Sequence, residues 1–371
     1  MVPLALPIRT PLGYYIYDAN CNEILKVSNE LFDYIKNLLA DHQNCEFASA
    51  SCEADYSSLQ EAGYLLPSMV KQIVHPATAI SEILLDRSLG QLTLQVTQRC
   101  NLRCKYCIYS EDLNCNQRSH SQNTMTFETA KKAIDFYRLH SIDTNRAVIG
   151  FYGGEPLLAF PLIKDVVAYA KEVFVGKEIA FDMTTNATLL TDEVIDFLLE
   201  NEFLLTFSID GPQRVQDKNR VFPNGLGSYD TVISNIRRLY KKDEKRLEHA
   251  GINMVVDSTQ SYSELLRLFD ERELENVNLT YSLVEKDGVT LAASDDFIRE
   301  YNYDSFISFW DYMRDHTLEG ANKFMSNKIN SLCTDAKFFK MSKLHSVTAP
   351  GGPCIPGKQR LFVNCFGDLY P

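Results

Sequence analysis

The spacing of apolar positions changes several times along the chain, and each change marks an element. In residues 13–27, "GYYIYDANCNEILKV", two aromatic or β-branched runs flank Asp18-Ala19-Asn20, which predicts a hairpin. Ser28 then stands at a helix start, with Leu31, Ile35, Leu38 and Leu39 on one face. Polar sequence follows, then "LQEAGYLL", so residues 1–85 read as a small separate unit. From Leu92 the pattern becomes a repeat of short apolar runs and amphipathic stretches. Strands are predicted over 92–97, 147–152, 179–184, 204–209, 252–257 and 277–284. Helical patterns alternate with them, with Thr126, Thr191 and Ser228 placed to cap three. Runs apolar on both faces indicate parallel strands covered by helices. Period alone leaves open whether the sheet is doubly wound or a closed or partly closed barrel. After Ser294 comes a helical, aromatic-rich stretch, then a loop-rich tail that carries Cys333, Cys354 and Cys365.

Composition narrows the class. Hydrophobic residues at 45% and charged residues at 23% are those of an ordinary globular chain, and 371 residues suffice for two or three domains. A formal charge of −12 argues against a phosphate-backbone partner, so no nucleic acid is expected. No long uncharged apolar run spans a membrane, and the first residues lack a basic segment and a cleavage site. The expected location is cytoplasmic, where ten cysteines are thiols or metal ligands rather than disulfides.

The chemistry concentrates in "CNLRCKYC", residues 100–107, directly after the first strand of the repeat. Cys100, Cys104 and Cys107 offer three thiolates and stop. Three thiolates can hold three irons of a [4Fe–4S] cluster and leave the fourth iron open to a small molecule. A catalytic zinc keeps a position free by the same logic. The competing reading is half of a zinc site completed by a distant cysteine or histidine. In parallel α/β folds the loop after a strand lies on the edge where active sites form. "FYGGEPLL" follows the second strand, "TTNATLL" the third, and "SIDGP" with "DKNR" the fourth, all on that same rim. The pair Gly153-Gly154 allows close approach of backbone to a ligand, and the Glu155 carboxylate suits an ammonium group.

A Cys-x3-Cys-x2-Cys loop after the first strand, with Tyr106 before its last cysteine, resembles the radical S-adenosylmethionine (SAM) enzymes. The resemblance implies a partial (β/α)6 TIM-like barrel over 86–290. It also implies a [4Fe–4S] cluster on Cys100, Cys104 and Cys107 with S-adenosyl-L-methionine on the open iron. Reductive cleavage of SAM then gives a 5′-deoxyadenosyl radical that takes hydrogen from the substrate. By the same resemblance Tyr106, Gly153, Gly154, Glu155, Thr185, Asn186, Ser208 and Asp210 line the SAM pocket, and Arg220 approaches its carboxylate. No residue of the motif is marked as a catalytic base.

"YGGEPLL", "TTNATLL" and "SIDGP…DKNR" further resemble the branch that carries a C-terminal SPASM domain, which includes peptide maturases and anaerobic sulfatase-maturating enzymes. Residues 291–371 then read as a helical bridge and the start of an auxiliary-cluster domain. That domain opens with a cysteine, a spacer and Gly-x4-Cys. Here Cys354 and Gly367 match, and the chain stops before the second cysteine, as in a C-terminally truncated form. Cys333 and Cys354 are candidate ligands of an auxiliary cluster in a longer parent. Residues 1–85 resemble the small winged PqqD-like element that binds the leader of a precursor peptide as an added strand. The combination implies a maturase that installs a cross-link, foremost a cysteine thioether, in a ribosomally made peptide. Its partners are that leader-bearing peptide and an external one-electron reductant such as a flavodoxin or ferredoxin. The alternatives are a sulfatase-maturating, formylglycine-generating enzyme and a non-catalytic, zinc-stabilised peptide-binding module. Cys115 reads as an incidental loop thiol, and His75, His120, His140 and His345 show no ligand spacing and stay unassigned.

Overall fold

A computed structural model describes residues 2–40, 45–75, 77–107, 120–286, 289–338, 343–349 and 355–371. The chain partitions into two compact units, residues 1–79 with 331–353 and residues 80–330 with 354–371.

The first unit is a three-stranded antiparallel sheet of β1 (Ala5–Thr10), β2 (Gly13–Asp18) and β3 (Glu23–Val27), with helices α1 (Asn29–Ala40) and α2 (Ala50–Glu61). Ile16, Leu31, Ile35, Cys52, Tyr56 and Leu65 form its core. Ser28 Oγ accepts from Leu31 N at 3.2 Å, and Ser49 Oγ accepts from Cys52 N at 3.2 Å, so both helices start at side-chain caps. The β2–β3 turn is held by Asp18, whose buried carboxylate accepts from Cys21 N at 2.9 Å and Leu65 N at 2.6 Å. Short strands Gln72–Ile73 and Val347–Thr348 pair in parallel within the same unit.

The second unit is built on an eight-stranded sheet. Its strands are β4 (Gln91–Thr97), β5 (Arg146–Gly153), β6 (Glu178–Thr185), β7 (Leu204–Ser208), β8 (Gly251–Val256), β9 (Asn278–Leu283), β10 (Leu361–Val363) and β11 (Leu369–Tyr370). Their order is β9-β8-β7-β6-β5-β4-β10-β11, parallel throughout except for the β10–β11 hairpin. From β4 to β9 the order follows the chain without reversal. A doubly wound sheet reverses at a switch point, whereas right-handed crossovers in one direction put every helix on one face. The unit thus has the α/β fold of a partial barrel. Helices α3 (Phe127–His140), α4 (Phe160–Val173), α5 (Asp192–Glu200) and α6 (Tyr229–Lys242) fill crossovers. After β9 come α7 (Asp295–Asp315) and α8 (Lys323–Phe338).

One-sided cover shows in the strands. Ile252, Met254 and Val256 of β8 are buried in the large core, as are Ala147, Ile149 and Phe151 of β5. The alternate positions Gly150, Tyr152, Asp182, Thr184 and Asn253 belong to the opposite face. On that face Gln91 Nε2 donates to Asp182 at 2.7 Å, and a Cβ at Gly150 would stand 2.8 Å from the Asp182 carboxylate. The expectation of strands apolar on both faces is therefore corrected, because the inner face of the barrel carries polar and small residues.

Thr126 and Thr191 cap their helices, accepting from Thr129 N at 3.1 Å and Val194 N at 3.3 Å. Ser228 does not cap α6. Its hydroxyl donates to Arg220 O at 2.7 Å, and Asp217 Oδ1 accepts from Tyr229 N at 2.9 Å instead. The tail differs too, since residues 361–363 and 369–370 are strands of the main sheet rather than loop. Among the described residues no helix is long and apolar enough to cross a membrane.

Candidate active site

The C-terminal ends of β5 to β9 and the segment following β4 surround one cavity of about 440 Å³, a volume within the range of small-molecule sites. Tyr152 and Gly153 come from β5, Thr184 and Thr185 from β6, and Ser208 from β7. Asn253 and Val255 come from β8, and Ser282 and Leu283 from β9. The segment after β4 supplies Cys100, Cys104, Tyr106 and Cys107, joined by Gly154, Asn186, Arg220, His120 and Glu285.

The cysteine loop is fixed to three neighbours. Gly154 N donates to Thr97 O at 2.9 Å and Glu155 N to Arg99 O at 2.8 Å, so the segment after β5 runs directly against the start of the loop. A Cβ at Gly153 would stand 2.2 Å from Thr97 O, and one at Gly154 would stand 2.2 Å from Arg99 O. Gly153 also has φ +151°, in the region glycine favours. The close approach expected of this pair is thus chiefly to the protein's own backbone, although both residues also line the cavity. A second tie joins Asn186 Nδ2 to Asn101 Oδ1 at 2.9 Å, and Asn101 Nδ2 to Thr188 Oγ1 at 2.8 Å. The third is a two-residue antiparallel ladder that pairs Cys104 with Arg220 and Arg103 with Val221.

Glu155 and Asp210 stand behind this wall rather than in it, and neither lines the cavity. Both side chains are fully buried. Glu155 accepts from Thr185 Oγ1 at 2.7 Å, Asn186 N at 2.8 Å and Leu157 N at 3.1 Å. Burial pushes its carboxyl up to about 7 against the pull of these donors. Expected beside an ammonium group, Glu155 instead has its oxygens hydrogen-bonded inside the protein, splinting the β6 end to the Gly-Gly turn. Asp210 accepts from Val255 N at 3.0 Å and from the Tyr106 hydroxyl. Arg220 Nε lies 3.0 Å from Asp210 Oδ1, an ion pair whose N–H is not aligned for a hydrogen bond. Arg220 also stacks over the Tyr106 ring at 5.5 Å. Burial opposes its charge, yet Asp210, Tyr106 and Cys104 together hold its pKa above the ordinary arginine value. Burial, then the Asp210 carboxylate, raises the Tyr106 phenol.

Burial pushes the Cys100 thiol up to about 11 and Cys104 to about 12, the second in spite of Arg220. Each of these sulfurs has a nitrogen within 4.0 Å: Leu102 N at 3.4 Å for Cys100, Arg220 Nη1 at 4.0 Å for Cys104 and His120 Nε2 at 3.7 Å for Cys107. Among the described residues no group of three or more His, Cys, Asp and Glu is gathered as ligands of a single metal ion. Three thiols on one cavity wall, not gathered on a single ion, suit a larger group that brings its own sulfides.

Tyr106, Gly153, Gly154, Thr185, Asn186, Ser208 and Arg220 are thus brought together with the three cysteines. Cys333 lies on α8 and does not line this cavity. Cys354 and Cys115 lie outside the described residues. Cys365 is a buried thiol that donates to Gln95 O at 3.1 Å. Among the described residues no cysteine forms a disulfide. Asn101, Asn253 and Ser282 went unnoticed in sequence, and His120 was named there but left without a role. Asn101 sits inside the cysteine motif and could have been flagged; the others carry no local signal.

Residues 94–271 match the family model described as the Radical SAM superfamily. An uncharacterized protein of Methanocaldococcus jannaschii is 39% identical over 176 residues, 47% of this chain and 56% of that protein. A serine-type anaerobic sulfatase-maturating enzyme of Bacteroides thetaiotaomicron is 35% identical over 143 residues, 38% of this chain and 34% of the relative. The radical SAM cyclopropyl synthase TigE of Paramaledivibacter caminithermalis is 24% identical over 313 residues, 77% of this chain and 60% of the relative. The matches cover less than two thirds of the length of each of these curated relatives.

Proposed function

We propose that the chain, whose residues 94–271 match the Radical SAM superfamily model, is an enzyme of that class and modifies a peptide by radical chemistry. In this reading Cys100, Cys104 and Cys107 hold a [4Fe–4S] cluster and the cavity beside them takes S-adenosylmethionine. When bound, the two supply one-electron abstraction of hydrogen from the substrate. The observation that carries the proposal is that these three thiols share one cavity of about 440 Å³ with the strand ends.

The protein's part is position and shielding. Arg220, held by Asp210 and Tyr106, presents a fixed positive charge for the SAM carboxylate, and its backbone is laddered to Cys104. Thr185, Asn186 and Ser208 offer polar groups along the wall, braced from behind by Glu155. Asn253, Ser282 and Glu285, on the β8–β9 side, are the places for the reacting side chain.

We read the substrate as a ribosomally made precursor peptide and the product as an intramolecular cross-link, foremost a cysteine thioether. Two observations support a peptide substrate. The first unit presents an antiparallel sheet, to whose edge a peptide can add as a strand. The relatives also include sulfatase-maturating enzymes, whose name makes a protein their object, and a cyclopropyl synthase. The sulfatase-maturating names favour a second reading, formylglycine formation. Cys333 and Cys354 are proposed auxiliary-cluster ligands, and an external one-electron donor is required in either case.

Anaerobic reconstitution tests the core of the reading. Iron and sulfide should bind in equal amounts, and the reduced cluster's electron paramagnetic resonance (EPR) signal should change when SAM is added. Replacing the three cysteines by alanine should abolish both, and retention of either would refute the assignment. With a cysteine-containing peptide, loss of two hydrogens with the thiol consumed marks a thioether, whereas an aldehyde trapped by a hydrazine marks formylglycine.

A further inference from the structure

We propose that His120 is a positioning residue of the cluster: its Nε2–H donates to the Cys107 sulfur and raises the potential at which the cluster takes up its electron. The proposal rests on the cluster assignment above and adds to it a residue outside the cysteine motif.

The geometry points to His120 in three steps. Its Nε2 stands 3.7 Å from Cys107 Sγ, and both residues line the cavity. The segment that carries it is anchored independently of the cysteines. Ser121 Oγ donates to Gln98 Oε1 at 2.7 Å, Gln98 N donates to Asn123 O at 2.9 Å, and Thr97 Oγ1 donates to Asn123 O at 3.0 Å. A further bridge pairs Thr97 with Thr124. Residues 121–124 are therefore clamped to the end of β4, and His120, one residue before the clamp, is returned to the loop that β4 launches. The other two sulfurs already have N–H groups beside them, from Leu102 and Arg220. His120 completes the set with a side chain that can carry a proton on Nε2 in either its neutral or its charged form.

A donor aimed at a thiolate sulfur stabilises the more negative, reduced cluster more than the oxidised one. No bond forms or breaks. One electron enters from the external donor, and the proton stays on the ring.

The test compares His120→Leu and His120→Gln in the full chain, reconstituted anaerobically, by EPR-monitored redox titration. Leucine fills similar space without a donor, while glutamine places an N–H near the original Nε2. The midpoint potential should fall in His120→Leu and recover in His120→Gln at equal iron content. In wild-type protein with ¹⁵N-labelled histidine, a weak nitrogen coupling and an exchangeable proton coupling should be present, and His120→Leu should lack both. An unchanged potential in His120→Leu overturns the proposal, as does a strong nitrogen coupling, which would make His120 a ligand of iron. If His120→Leu takes up no cluster, the wild-type couplings and His120→Gln decide: a missing proton coupling overturns the proposal. A wild-type chain that binds no cluster overturns the parent reading and this one with it.

Discussion

Gly154 and Glu155 stand side by side and fail in different ways when changed. A methyl at Gly154 would meet Arg99 O at 2.2 Å and Gln98 O at 2.8 Å, both backbone atoms that cannot swing aside. Gly154→Ala is expected to cost roughly 3 kcal/mol or more, with loss of iron binding because the cysteine loop must shift. Gly176 has a positive φ of +90° but nothing within 4 Å of the place a methyl would take, so Gly176→Ala should cost only about 1–2 kcal/mol and leave iron binding intact. Denaturant midpoints with iron counts on both variants check the contrast. Glu155 gives a pH dependence. Its pKa rises from 4.5 to about 7 on folding, so the folded state binds the extra proton. The contribution is fully present below pH 4.5 and is lost as pH rises through 7, on the order of 3 kcal/mol in all. Urea melts at a series of pH values should show wild-type stability falling across that window relative to Glu155→Gln. Parallel pH curves for the two proteins would remove Glu155 as the cause.

At the level of elements, the short ladder between Arg103–Cys104 and Arg220–Val221 joins the cysteine loop to a segment more than a hundred residues away in sequence. It depends on the buried ion pair behind it. Arg220→Ala leaves the Asp210 carboxylate buried without its cation, which is expected to cost about 3–5 kcal/mol. The paired change Arg220→Met with Asp210→Leu should cost less than Arg220→Ala alone, and equilibrium unfolding of the three proteins measures the difference. Such ties mark where sequence reading runs out. The six strands from β4 to β9 were legible within a residue or two because each has at least five residues and a helix pattern after it. Ser228 looked like a cap because serine before an amphipathic run usually is one; a neighbouring aspartate, Asp217, took the role. β10 and β11, at three and two residues, are too short to show any period. The three cysteines and the Gly-Gly-Glu turn were readable as a set. That Glu155 and Asp210 would face away from the cavity was not, because a carboxylate at a strand end has the same local signature whether it meets ligand or backbone. His120 stayed unassigned because its place depends on a clamp made by Gln98 and Asn123.

For the molecule as a whole, the parallel sheet gathers its chemistry at one rim, and β10 covers the side of β4 that β5 leaves open. Val363 of β10 is fully buried and pairs with Leu94. Val363→Asp puts a charge in that seam and is expected to cost roughly 3–5 kcal/mol. Hydrogen exchange should then quicken in β4 while β7 and β8 amides keep their protection; uniform quickening would mean that the whole sheet opens together. The same arrangement bears on how the chain is made. β4 leaves the ribosome first among the strands of this sheet, and one of its two neighbours among the last. At about 5–20 residues per second the interval is on the order of tens of seconds. Throughout it, the strand that launches the cysteine loop has one edge uncovered, so a nascent chain offers its thiols to the cell before its sheet is complete. Iron delivered during synthesis would meet a looser loop than iron delivered after release.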